Sequence, residues 1–121
     1  MSAYVVHGAK LRCSFGTQIS TFQVDRNAFI CDKPQGNMMD YKSDENIFSF
    51  GLCFSLANPD VQKATSAAGG VLQMMPCKPN TKTPWLLVKE DVLVDSEPAL
   101  LDCSQTLCMW AGLISITDNG Q

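Results

Sequence analysis

The stretch from Met74 to Trp85, MMPCKPNTKTPW, places one cysteine between two prolines and follows it with turn-forming residues. Pro76 and Pro79 fix their own φ and push Met75 and Lys78 toward extended backbone, while Asn80 and Thr81 favour turns through side-chain to backbone hydrogen bonds. Cys77 therefore sits in a rigid, non-helical seat. A core cysteine more often lies within an apolar strand or helix, so this placement predicts a partner for the sulfur.

Upstream of this stretch the signals define one helix. Asn58 suits the N-cap, Pro59 the first helical position and Asp60 the positive end of the dipole; Gly69 and Gly70 stop the run, leaving Val61, Ala64 and Ala68 on one face. Earlier segments read as short strands: Tyr4 to Val6, Leu11 to Phe15 carrying Cys13 toward Gly16, and Ile19 to Val24. Asn27 to Gly36 reads as an irregular connection, Asn37 to Glu45 is polar around Met38 and Met39, and Ile47 to Phe54 is an apolar run broken by Gly51. Downstream, Leu86 to Asp95 (LLVKEDVLVD) reads as a hairpin turning at Lys89 and Glu90, although neither residue is favoured in tight hairpins. Turns follow at Ser96 to Pro98 and Cys103 to Thr106. In Met109 to Thr117, Ile114 and Ile116 alternate with Ser115 and Thr117 as in a half-buried strand. Many short strands, frequent turns and one small helix, without alternating strands and long helices, predict a mainly β protein.

The 121 residues, 45% hydrophobic and 17% charged, fit one folded domain over 1–121. A net charge of −3 from scattered groups offers no basic patch for nucleic acid and no polybasic membrane anchor. The start of the chain lacks a secretory signal pattern, and no apolar run is long enough to span a membrane. The expected setting is a reducing cytoplasm, where six cysteines read as metal ligands or a catalytic thiol before a disulfide framework.

A nucleophilic pair would need His7, the one histidine, as base beside Cys77 or Cys13. A histidine next to Gly8 is more often a surface or locally hydrogen-bonded residue, and no G-x-S-x-G, phosphate-loop or dinucleotide pattern is present. The carboxylates are spread singly through turns. Met38, Met39, Met74 and Met75 are soft donors whose ordinary role is core filling. None of Cys13, Cys31, Cys53, Cys77, Cys103 and Cys108 forms a C-x-x-C knuckle. Cys13, Cys53, Cys77 and Cys108 each lie near Gly or Pro, where the backbone can bend to aim a sulfur. Spacing alone leaves a four-thiolate site and four buried, unliganded cysteines both open.

Five segments together carry a resemblance: GAKLRCSFG (8–16), NIFSFGLCFSLANP (46–59), GVLQMMPCKPNTKTPW (70–85), VLVDSEPAL (92–100) and CMWAGLISITDNGQ (108–121). In order and over nearly the whole chain they resemble the PAAR-like family of bacterial contractile injection systems. The combination of FGxCxSLANP, MPCxPNT and a closing CMW is specific in a way no single piece is. The resemblance implies a small conical β-fold, monomeric on a trimeric VgrG-type spike, which it caps and sharpens in a type VI-like secretion system. It implies no enzymatic activity, passing contact with a target membrane, and effector proteins as passengers. Assembly would take place in the cytoplasm, and ejection would need no signal peptide. Cys13, Cys53, Cys77 and Cys108 are the implied ligands of a structural, tetrahedral Zn²⁺, cross-linking a tip too narrow for a sizeable core. Cys31 and Cys103 fall outside the motifs and read as ordinary buried or local thiols. Val88 to Asp91 and Ala111 depart from the family pattern, in which glycine or proline is more usual at the former and glycine at the latter.

Overall fold

Alternation in the last apolar run builds the longest strand, Gly112–Asp118 (β10), with Gly112 and Ile114 buried and Leu113 exposed. The computed structural model describes residues 3–27, 29–30 and 32–121, so Cys31 falls outside the described residues. On one side β10 pairs antiparallel with Lys10–Cys13 (β1), which in turn pairs with Ser20–Thr21 (β2). On its other side lies Gln105–Cys108 (β9), giving the sheet order β2-β1-β10-β9. Three two-stranded pairs accompany this sheet: Phe29–Ile30 (β3) with Lys33–Pro34 (β4), Leu52–Cys53 (β5) with Met75–Pro76 (β6), and Lys89–Val94 (β7) with Glu97–Ala99 (β8). The protein is mainly β, with one short helix.

The helix α1, Pro59–Ala67, starts as its cap residues dictate, with Asn58 Oδ1 accepting the Asp60 N–H at 3.0 Å. Its buried face is Val61 and Thr65, one turn apart. Ala68, expected on that face, lies past the helix and is exposed, while Ala64 is only half-buried. Gly69 and Gly70 end the run at φ of 71° and 92°, a conformation their lack of Cβ makes cheap.

Several turn positions differ from expectation. Lys89 and Glu90 do not turn; they lie inside β7, and the reversal falls at Asp95 and Ser96, with φ of 50° and 69°. Two successive left-handed residues fit the right-handed twist of a tight hairpin, which Asp tolerates and Lys and Glu do not favour. The register shift between Lys89 and Leu93 absorbs the charged residues as an irregularity in β7. Glu97 and Pro98 accordingly belong to β8, and Gln105 and Thr106 to β9, not to turns. The 27–36 connection contains the β3–β4 pair, with Asp32 at φ 62° between its strands. Among the described residues, Tyr4 and Val6 make only isolated bridges, to Leu101 and Gln35.

The core centres on fully buried Trp85, Phe22, Phe50, Leu11, Ile47, Leu100 and Ile114. Trp85 meets Phe22 edge-on at 6.4 Å and donates from Nε1 to the Asp40 carbonyl at 2.8 Å. Met38 and Met75 pack against this core, whereas Met39 and Met74 are exposed. Cys13, Cys53, Cys77 and Cys108 belong to the same cluster. A hydrophobic core therefore exists beside the thiols, so a metal there adds to burial and does not replace it.

Candidate metal centre

Each of the four motif cysteines is delivered by a different backbone device. Cys13 ends β1 opposite Ile114, and Cys108 ends β9 opposite Gly112, so both flank the start of β10. Cys53 lies in β5, whose neighbour across an isolated bridge is Gly16, three residues beyond Cys13. Cys77 follows β6 directly and donates its N–H to the Gly51 carbonyl at 2.8 Å. Thr81, after the Pro79 turn, bridges Cys108.

These links close a ring. Cys13 is tied to Cys53 through the Gly16 bridge and the Phe54 N–H to Phe15 carbonyl bond of 3.1 Å; Cys53 is tied to Cys77 through β5–β6 and Gly51. Cys77 is tied to Cys108 through Thr81 and the 2.8 Å bond from Met109 N–H to the Asn80 carbonyl, and Cys108 to Cys13 through β10. The β9–β10 turn is clamped across the ring, since the Trp110 carbonyl accepts from Ser55 Oγ and Trp110 Nε1 donates to the Lys78 carbonyl at 3.1 Å. Segments far apart in sequence are thus held around one buried place.

Space there is reserved for sulfur. A Cβ on Gly112 would stand 2.6 Å from Cys13 Sγ and 3.4 Å from Cys108 Cβ, and one on Gly16 would stand 2.5 Å from Phe50 Cβ. Gly112 has no left-handed φ, so its lack of a side chain serves proximity alone. Burial pushes the Cys13 thiol from 9.0 up to about 11; the backbone N–H of Phe15 works against this, and the charges of Cys108, Cys77 and Cys53 add to it. Cys77 is also raised, chiefly by burial, with Phe50 N–H and the Ser49 hydroxyl opposing and Cys53 and Cys108 adding. The thiols feel one another, and ionising several together requires a cation among them.

Among the described residues, no three His, Cys, Asp or Glu groups stand close enough to hold an ion as they are arranged. The influence of the thiols on one another's ionisation places them in one neighbourhood all the same. The four thiols share the donor type and the burial of a tetrathiolate site, though not, as arranged, its spacing. When bound, zinc would neutralise the thiolates and cross-link four chain segments.

The other named residues lie elsewhere. His7 is exposed; its Nδ1 accepts the Val24 N–H at 3.2 Å, and it lines a surface depression of about 250 Å³ with Gln23, Val24, Asp25, Glu45 and Asn46. Among the described residues, no thiol lines that depression. Cys103, expected to be buried or local, is exposed, with its Sγ 3.8 Å from the Leu87 carbonyl. Sequence reasoning missed Ser49 and Ser55, whose contacts are made across the ring and leave no mark in local spacing. Among the described residues, no helix is long and apolar enough to cross a membrane.

A mainly β protein with two buried thiols on the main sheet and two at the β5–β6 pair is the class these observations define. The chain belongs to the family described as a domain of unknown function, DUF4280, whose model matches residues 5–121. Neither curated proteins nor solved structures gave a match.

Proposed function

We propose that the protein is a non-enzymatic, zinc-stapled tip protein of PAAR-like type that caps and sharpens the VgrG-type spike of a type VI-like secretion system. The observation that carries this reading is the closed ring of backbone links around Cys13, Cys53, Cys77 and Cys108. The motif combination, in order over nearly the whole chain, supports it. In this role residues 1–121 form one small conical domain, seated as a monomer on the spike trimer and able to carry effectors. It assembles in the cytoplasm and leaves with the apparatus. A tip that must survive ejection gains from a metal cross-link that needs no oxidising compartment.

The raised thiols of Cys13 and Cys77 weigh against a cysteine nucleophile, because the thiolate is the reactive form and His7 sits at a separate depression. The test is metal analysis of the purified protein together with capture by the spike trimer. One zinc per chain and co-elution with the trimer are expected. A metal-free protein that keeps its fold with all four cysteines replaced by serine would sink the metal, and no binding to the trimer would sink the role.

A further inference from the structure

A neutral imidazole has one N–H and one bare nitrogen, and the bond each makes decides which is which. Nδ1 of His7 accepts the Val24 N–H at 3.2 Å, which requires the ring proton to sit on Nε2. Among the described residues Val24 N–H has no backbone acceptor, so the imidazole is its partner. The stretch it holds is otherwise fixed only at its ends. On one side the Gln23 N–H donates to the Asn46 carbonyl at 3.1 Å, and Asn46 Nδ2 donates to the Gln23 carbonyl at 2.8 Å. On the other, Arg26 Nη2 meets Asp40 Oδ1 at 2.7 Å. The backbone of His7 is anchored separately, its N–H on the Pro34 carbonyl at 2.8 Å and the Gly8 N–H on the Phe22 carbonyl at 2.9 Å. Val24 and Asp25 thus span two fixed points, with one side-chain bond clasping the middle.

A second proton on the ring makes both nitrogens donors, and an Nδ1–H would then face the Val24 N–H. Two donors cannot share that contact, so the clasp opens. The charged ring has other partners within the same surface depression, which Asp25 and Glu45 line together with His7. Asp44, in the same turn as Glu45, does not line it. The cations on the surrounding elements are engaged elsewhere: Lys33 Nζ on the Gly120 carbonyl at 2.6 Å, Lys42 at 3.9 Å from Glu45, Lys10 at 3.5 Å from Thr21 Oγ1, and Arg26 between Asp40 and Asp95. A carboxylate favours a neighbouring imidazolium, whereas a donated N–H favours the neutral ring. The two bonds available to His7 therefore belong to two protonation states.

We propose that His7 is a pH-operated clasp: neutral, it holds the Val24 amide and closes the wall of the depression; protonated, it releases Val24 and turns to the carboxylates of Asp25 and Glu45. This device stands independently of the spike-tip reading. The test is heteronuclear NMR of the purified protein, following the His7 ring nitrogens and the hydrogen exchange of the Val24 amide, with the β1–β10 amides as internal references. At neutral pH the ring should carry its proton on Nε2. Between about pH 7.5 and about pH 5.5, protection of Val24 relative to the references should fall about tenfold or more, while circular dichroism shows the fold kept. His7→Asn, whose Oδ1 can stand where Nδ1 does but does not titrate, should hold Val24 protected across that range; His7→Ala should leave it unprotected throughout. In a protein carrying both Asp25→Asn and Glu45→Gln the transition should move to lower pH. A neutral ring protonated on Nδ1, Val24 protection that is flat in wild type, or an equal fall in His7→Asn overturns the clasp. A transition unmoved by the double substitution overturns the carboxylates as its second partners.

Discussion

Gly112 is a place where one hydrogen atom decides what its surroundings can hold, because any Cβ there falls 2.6 Å from Cys13 Sγ. Gly112→Ala should push that sulfur aside without disturbing β10 pairing. We expect zinc affinity to fall about ten- to a hundredfold, as for other residues supporting a metal site, measured by competition with a chelator. The thiols also set a pH dependence. In the zinc-free protein the folded Cys13 thiol holds its proton more tightly than the unfolded chain does, at about 11 against 9.0. The folded state therefore has the advantage below pH 9 and loses it as pH rises toward 11, so urea denaturation over that range should show falling stability. The zinc-loaded protein should behave oppositely, losing metal as pH falls and protons compete for sulfur.

Among the elements, the β9–β10 turn carries strain. Ala111 stands at φ 66°, a left-handed conformation that costs a residue with a Cβ about 1 kcal/mol. Glycine would relieve the strain but gain entropy when unfolded, so Ala111→Gly should stabilise by roughly 0.5 kcal/mol, or about 2 °C in the thermal midpoint. This position was legible as a departure from the family pattern, yet only the backbone explains why glycine suits it. The helix was equally legible, since Asn58, Pro59 and the Gly69–Gly70 pair are local signals that act within a few residues. The β7–β8 hairpin was not. Leu86 to Asp95 contains two apolar runs around two charges, and its true turn depends on Asp95 and Ser96 accepting left-handed backbone, which few sequences announce.

At the scale of the molecule, four cysteines could be singled out from glycine and proline neighbours and family motifs. Their convergence could not, because it depends on pairings such as Gly16 with Cys53 and Thr81 with Cys108 that join distant segments. Those pairings are what zinc would lock. Stripping it with a chelator should lower the thermal midpoint by about 10 °C, the effect of a site held near a hundredfold above its dissociation constant, followed by differential scanning calorimetry. The same architecture has a mechanical side. Val5 bonds to Leu100 and Val6 to Asn119, close to where Lys10 pairs with Asp118. A pull separating Tyr4 from Asn119 would load the antiparallel β1–β10 ladder at one end and open it bond by bond, like a zipper. A load along the strands instead bears on many of those hydrogen bonds at once, so the sheet is weak to peeling and stiff to shear.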